Sequence, residues 1–254
     1  MADDAERVLV VPELVYPGTF VYSADRLWAW EAQGLLHQLE GVMADGALAL
    51  FSFEDSMAHP GPSPFDRAQW MADAARRRQV EDELATESGL DQLSPESWPY
   101  LHLQTDILLH RERWSAGHLP ASYEHRLPFI HARSFLLTMD RLKRLLDALA
   151  RMPARPPGVV KAVERFDALV PDLKGVRDTV AHIDERSRGL AWGKKLDLKP
   201  VDNALIHAPH GGATVLESLN GNLFGSTMAD GHYGQVEVSP RVLLGANQLV
   251  QLLL

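Results

Sequence analysis

Between positions 177 and 182 the chain reads Arg-Asp-Thr-Val-Ala-His. A guanidinium is a permanent cation whose planar fork of donors fits a phosphate. An imidazole accepts or donates a proton near neutral pH. A carboxylate between them can orient either one. Arg177, Asp178 and His182 together have the chemistry to hold a phosphodiester and move a proton without a metal. The plain alternative is a solvated helix face on which Asp178 and His182 form an ordinary i,i+4 pair.

Spacing alone does not single out this segment. With 19 arginines and 11 histidines in 254 residues, about one Arg-x4-His pair arises by chance. The chain has three: Arg113–His118, Arg126–His131 and Arg177–His182. The first contains Gly117 and is followed by Pro120, and the second contains Pro128. Only the third is expected inside an uninterrupted helix. Its apolar stripe is Leu169, Leu173, Val176, Val180 and Ile183. At about 100° per residue, Asp178 and His182 fall opposite that stripe and Arg177 flanks it.

The elements that must position this segment are mostly helical. Phe135, Met139, Leu142, Leu146 and Leu149 recur at helical spacing and predict a core helix over 129–151. Helices are also expected over 66–88, capped by Asp66, over 100–113, and in a short stretch from Val159 to Val170. Ser23 resembles an N-cap for an earlier helix. Ala47–Phe53 fits either a buried strand or a short helix. Arg7–Val15 reads as an extended run, and residues 58–64 read as a Pro-rich loop. From about 195 to 239, short extended runs alternate with Pro-His-Gly-Gly, Asn-Gly-Asn and Asp-Gly turns, which predicts a small antiparallel meander. Ser239-Pro240 then opens a last apolar helix.

Composition sets bounds. The chain contains no cysteine, so disulfides, thiolate metal sites and cysteine nucleophiles are excluded. No leader and no membrane-length apolar run is visible, so a cytoplasmic protein with no membrane partner is expected. A net charge of −9 argues against general nucleic-acid binding. The charge is uneven, however. Residues 1–106 carry 6 basic and 19 acidic side chains, and residues 141–199 carry 14 and 8. A local anion-binding face inside an acidic chain is one reading, and chance clustering on solvated faces is the other. Arg76-Arg77-Arg78 is offset by Glu81-Asp82-Glu83 one turn on. His207-x2-His210 has metal-ligand residue types, but the spacing suits a turn and no third ligand is near, so no metal and no cofactor are expected.

Arg-x4-His in a helix of an antiparallel bundle, with a polar residue directly after the arginine, resembles the signature of the HEPN superfamily (higher-eukaryote-and-prokaryote nucleotide-binding domains). The resemblance spans about residues 125–190 and 240–254. With the β-meander read above as an insertion at about 195–239 and a mixed N-terminal region over 1–124, the expected fold is mainly α, and the resemblance implies that residues 125–254 form an antiparallel HEPN-like helical bundle. It implies a metal-independent endoribonuclease with Arg177, Asp178 and His182 as catalytic residues. Homodimerisation would complete the site, and a toxin or defence role would bring a neutralising protein partner. The alternative is a non-catalytic HEPN-like scaffold or interaction module. The resemblance leaves residues 1–124 and the meander unexplained.

Overall fold

The computed structural model describes residues 10–15, 21–58, 67–92, 94–117, 119–155 and 158–253. The elements in chain order are α1 (Arg26–Ala58), α2 (Arg67–Ser88), α3 (Trp98–Ser115), α4 (Ala121–Glu124), α5 (Leu127–Arg151), α6 (Val159–Leu169), α7 (Leu173–Ala181) and α8 (Ile183–Ser187). Then come β1 (Leu190–Ala191), β2 (Lys194–Lys195), β3 (Val201–Asp202), β4 (His207–Ala208), β5 (Ser218–Asn220), β6 (Leu223–Thr227), β7 (Tyr233–Glu237) and α9 (Pro240–Gln251). The protein is therefore mainly helical with small antiparallel sheets. No helix among the described residues is long and apolar enough to cross a membrane. The chain divides into two compact units, residues 1–55 with 128–254, and residues 56–127.

The larger unit is built on α1, α5, α6 and α9. The stripe Phe135, Met139, Leu142, Leu146 and Leu149 of α5 is fully buried, against Leu39, Val42, Met43 and Leu50 of α1 and Val242, Leu243 and Ala246 of α9. Ala47–Phe53 belongs to α1. Ala47, Leu50 and Phe53 are buried while Leu48 and Phe51 are exposed, which is helical and not strand periodicity. Asp25, not Ser23, caps α1: its Oδ1 accepts from the N–H groups of Leu27 and Trp28, each at 3.1 Å. Ser239 caps α9 as expected, accepting from the Val242 N–H, with Pro240 in the first turn.

One expectation near the N-terminus changes. The described part of the Arg7–Val15 run, residues 10–15, is not a strand. Val15 instead exchanges two hydrogen bonds with the Gln251 side chain, at 2.8 and 2.7 Å, so α9 takes up its backbone polar groups. The expected loop over 58–64, apart from Ala58, and the Asp66 cap lie outside the described residues.

The meander is present as the antiparallel sheet β5-β6-β7, with Asn220 opposite Leu223 across the Gly221-Asn222 turn. Gly221 sits at φ 58°, where a side chain is disfavoured. The extended region begins earlier than 195: β1 and β2 pair as a hairpin, and β3 and β4 form another.

The sheet is the floor for α7. Thr179 is buried and its Oγ1 donates to the Thr227 carbonyl at 2.8 Å. The Gln235 N–H donates to Asp172 Oδ2 at 2.9 Å. Met228 lies between Gly175 of α7 and Gly234 of β7. A Cβ at Gly175 would collide with the Met228 thioether and stand 2.9 Å from its Cγ.

In the smaller unit α2 and α3 run antiparallel, since partners descend on α3 as they ascend on α2. Asp73 meets Arg113 at 2.7 Å, Arg76 pairs with Glu112, and Arg77 meets Asp106 at 2.8 Å. Arg76 and Arg77 are thus neutralised mainly across the hairpin. Their own helix contributes Glu81 at 3.3 Å from Arg77 and Glu83 at 3.8 Å from Arg76.

Two outcomes follow. Gly175→Leu overpacks the α7–sheet contact and should lower the unfolding free energy by about 1–3 kcal/mol, measured by urea denaturation. The hydrogen bond from Arg76 holds the Glu112 carboxyl below its usual value of 4.5. Its stabilising contribution is complete above that pH and is lost as pH falls through the depressed value. The acid limb of a circular-dichroism titration should therefore move to higher pH in Glu112→Gln.

Candidate functional site

Arg177 lies on α7, and its side chain is only 18% exposed. Its Nη1 stands 2.7 Å from Asp178 Oδ1. Its Nε stands 3.1 Å from Asp140 Oδ1 of α5, close enough for a strong ion pair although off the hydrogen-bond axis. The other oxygen of Asp140 accepts from Arg144 Nε at 2.8 Å. One carboxylate, 14% exposed, thus stands between two guanidinium groups. The hydrogen bond to Asp140 raises the Arg144 pKa, and Asp178 adds to the effect. The four side chains form one charge-alternating chain across the α5–α7 junction.

Beside it opens a groove of about 520 Å³. Five cations line it: Lys143, Arg144, Arg151, Lys174 and Arg177. Three carboxylates oppose them: Asp140, Asp147 and Asp167. Burial lowers the Lys143 pKa, but hydrogen bonds to Asp147 and Asp167 outweigh it and leave the net shift upward. The side chains of Arg151 and Lys174 make no hydrogen bond or ion pair among the described residues, and both residues are exposed. The groove therefore holds an excess of positive charge, with two cations open to an incoming anion. It is the structural counterpart of the basic stretch over 141–199.

The structure departs from the expected uninterrupted helix at His182. α7 ends at Ala181, and His182 has φ −119° and ψ 42°, outside helical geometry. α8 starts one residue later. The break redirects the chain so that Arg186, 2% exposed, donates from Nη1 to the Leu190 carbonyl at 2.7 Å behind the β1–β2 hairpin. The predicted stripe loses its last member for the same reason: Ile183, beyond the break, is 41% exposed. The His182 side chain is exposed, with no hydrogen bond or ion pair among the described residues. The Asp178 carboxylate turns to Arg177 of its own helix. Among the described residues it makes no bond to the His182 ring, and the two residues are joined by the backbone bond from the His182 N–H to the Asp178 carbonyl at 3.0 Å.

The structure thus pairs Asp178 with Arg177, which lines the groove, and leaves His182 exposed at the end of α7. Sequence reasoning missed Asp140, 37 positions from Arg177, and with it the groove. The one local signal was the i,i+4 spacing of Asp140 and Arg144. Thr179, inside the six-residue segment, was passed over and is its anchor to the sheet. Of the other candidates, His207 pairs with Asp202 at 3.0 Å, and Arg113 is taken up by Asp73.

No protein-family model, curated protein or solved structure matches this chain.

Asp140→Asn removes the charge shared by Arg144 and Arg177 and leaves both in mutual repulsion. The expected loss is about 1.5–3 kcal/mol of stability by urea denaturation, the range for a hydrogen bond to a charged group. Asp147→Asn, whose Lys143 partner keeps Asp167, should lose less.

Proposed function

We propose that this chain is a HEPN-type endoribonuclease, working as a homodimer in which two Arg177–His182 corners enclose one phosphodiester. The observation that carries the reading is the joint placement of an oriented cation and an unengaged imidazole. Arg177 is held by two carboxylates at the edge of a basic groove. Five residues on, His182 stands exposed at the helix end.

In this reading His182 takes the proton of a ribose 2′-hydroxyl and the 2′-oxygen attacks the adjacent phosphorus. The 5′-oxygen leaves with a proton from the second copy's His182. The products are a 2′,3′-cyclic phosphate and a 5′-hydroxyl. Arg177 binds the charge that builds on the phosphoryl oxygens, and Arg151 and Lys174 hold a neighbouring phosphate. Two copies are needed because one corner supplies one imidazole, whereas the step uses a base and an acid. Uncontrolled cutting of RNA would harm a cell, which fits a toxin or defence role under a neutralising protein partner.

A non-catalytic HEPN-like module is the second reading. Its support is that Arg177 is already paired with two carboxylates and that, among the described residues, no histidine lines the groove.

Purified protein in EDTA should cut single-stranded RNA and leave 2′,3′-cyclic ends. His182→Ala should lower the rate by about 10²-fold or more, the usual scale of general acid–base catalysis, with the melting temperature unchanged. Intact RNA, or equal cutting by the variant, removes the enzyme reading. Groove-dependent RNA binding without cutting selects the second.

A further inference from the structure

The loop of the β1–β2 hairpin is Trp192-Gly193, with Ala191 opposite Lys194 and Leu190 opposite Lys195. A two-residue loop of this kind calls for positive φ at both positions, which is why Asn-Gly is common there. Trp192 has φ 51° and Gly193 φ 73°. Trp192 is the one non-glycine residue with positive φ among the described residues. A bulky side chain is disfavoured in that conformation.

The chain holds this turn firmly. The Glu185 carboxylate accepts from the N–H of Trp192 at 3.1 Å and from that of Gly193 at 3.2 Å. Next to it, buried Arg186 is tied to the Leu190 carbonyl. Yet the indole on this rigid mount is 76% exposed. The turn carries backbone strain and a large apolar ring, and neither is repaid by burial. Such a broken local rule points to a use outside the fold.

The surroundings say which use. Arg188, Lys194 and Lys195 are exposed and make no ion pair among the described residues. One aromatic face flanked by free cations matches single-stranded nucleic acid, where a base stacks on the ring and its phosphates meet the cations. A lipid surface asks for a wider apolar face or a larger basic cluster than Trp192 and these three side chains supply.

We propose that Trp192 is a stacking platform for an unpaired nucleobase of single-stranded RNA, with Arg188, Lys194 and Lys195 on the flanking phosphates. The proposal rests on the reading that the chain acts on RNA, but it does not require cleavage.

The test uses the full chain carrying His182→Ala and a fluorescein-labelled single-stranded RNA oligonucleotide, read by anisotropy at fixed salt. Trp192→Ala should weaken binding about ten-fold, the scale of one base–aromatic stack. Trp192→Phe should keep most of the affinity. Lys194→Ala with Lys195→Ala should flatten the salt dependence. Trp192→Gly should lose affinity while its melting temperature rises, because glycine relieves the strained turn. A ring that merely supports the fold would lower the melting temperature instead. Equal affinity for the parent and Trp192→Ala, no RNA binding by the parent, or Trp192-dependent capture by phosphatidylcholine–phosphatidylserine vesicles in place of RNA overturns the platform. Trp192-dependent binding by a protein that never cuts RNA overturns the nuclease reading alone. Cutting with Trp192-independent binding overturns the platform alone.

Discussion

Helix α7 is gripped from two sides, and every feature of the candidate site depends on that grip. Toward the sheet, buried Thr179 bonds to the Thr227 carbonyl, and Gly175 and Gly234 leave just enough room for Met228. Toward α5, the single carboxylate of Asp140 is shared by Arg144 and Arg177. The first contact fixes the depth and rotation of the helix. The second fixes where its guanidinium points. A partly buried ion pair is weak evidence for net stability. Here its clearer effect is positional, because a long side chain that would otherwise sample many rotamers is held in one place.

The electrostatics follow from the same arrangement. The chain as a whole is acidic, with a net charge of −9, yet the groove beside Arg177 has five cations against three carboxylates. Paired cations such as Arg144, Lys143 and Arg177 are pre-oriented, and an anion that reaches them must share them with aspartates already in place. Arg151 and Lys174 carry no such partner among the described residues, so they offer an anion its first contact. A net negative chain repels polyanions in general, while a local excess of cations attracts them where it is exposed.

Legibility in the sequence followed the range of the interactions. The stripe of α5 and the Ser239-Pro240 start of α9 were readable because period and capping are local chemistry. The Asn-Gly turn was readable for the same reason. The cap of α1 was misplaced by two residues because Ser23 and Asp25 are both good caps and only geometry separates them. The break at His182 was invisible because nothing in Val-Ala-His-Ile disfavours a helix. It is imposed from outside, by the buried anchoring of Thr179 on one side and Arg186 on the other. The Asp140–Arg177 pair joins residues far apart in the chain, and no periodicity encodes it. The Trp192 turn was missed because Trp-Gly is not among the usual hairpin dipeptides, and that mismatch is what gives it meaning once seen.

The central claim is that two copies bring their α7 corners together around one phosphodiester, and a distance measurement tests it most directly. The chain contains no cysteine, so Ala181→Cys offers a single position for a spin label at the exposed end of α7, with His182 left intact. Double electron–electron resonance on the labelled protein with non-cleavable RNA should give one narrow, short distance between the two labels. A monomeric protein with no dipolar signal, or a dimer with the two labels at opposite ends, would contradict the account.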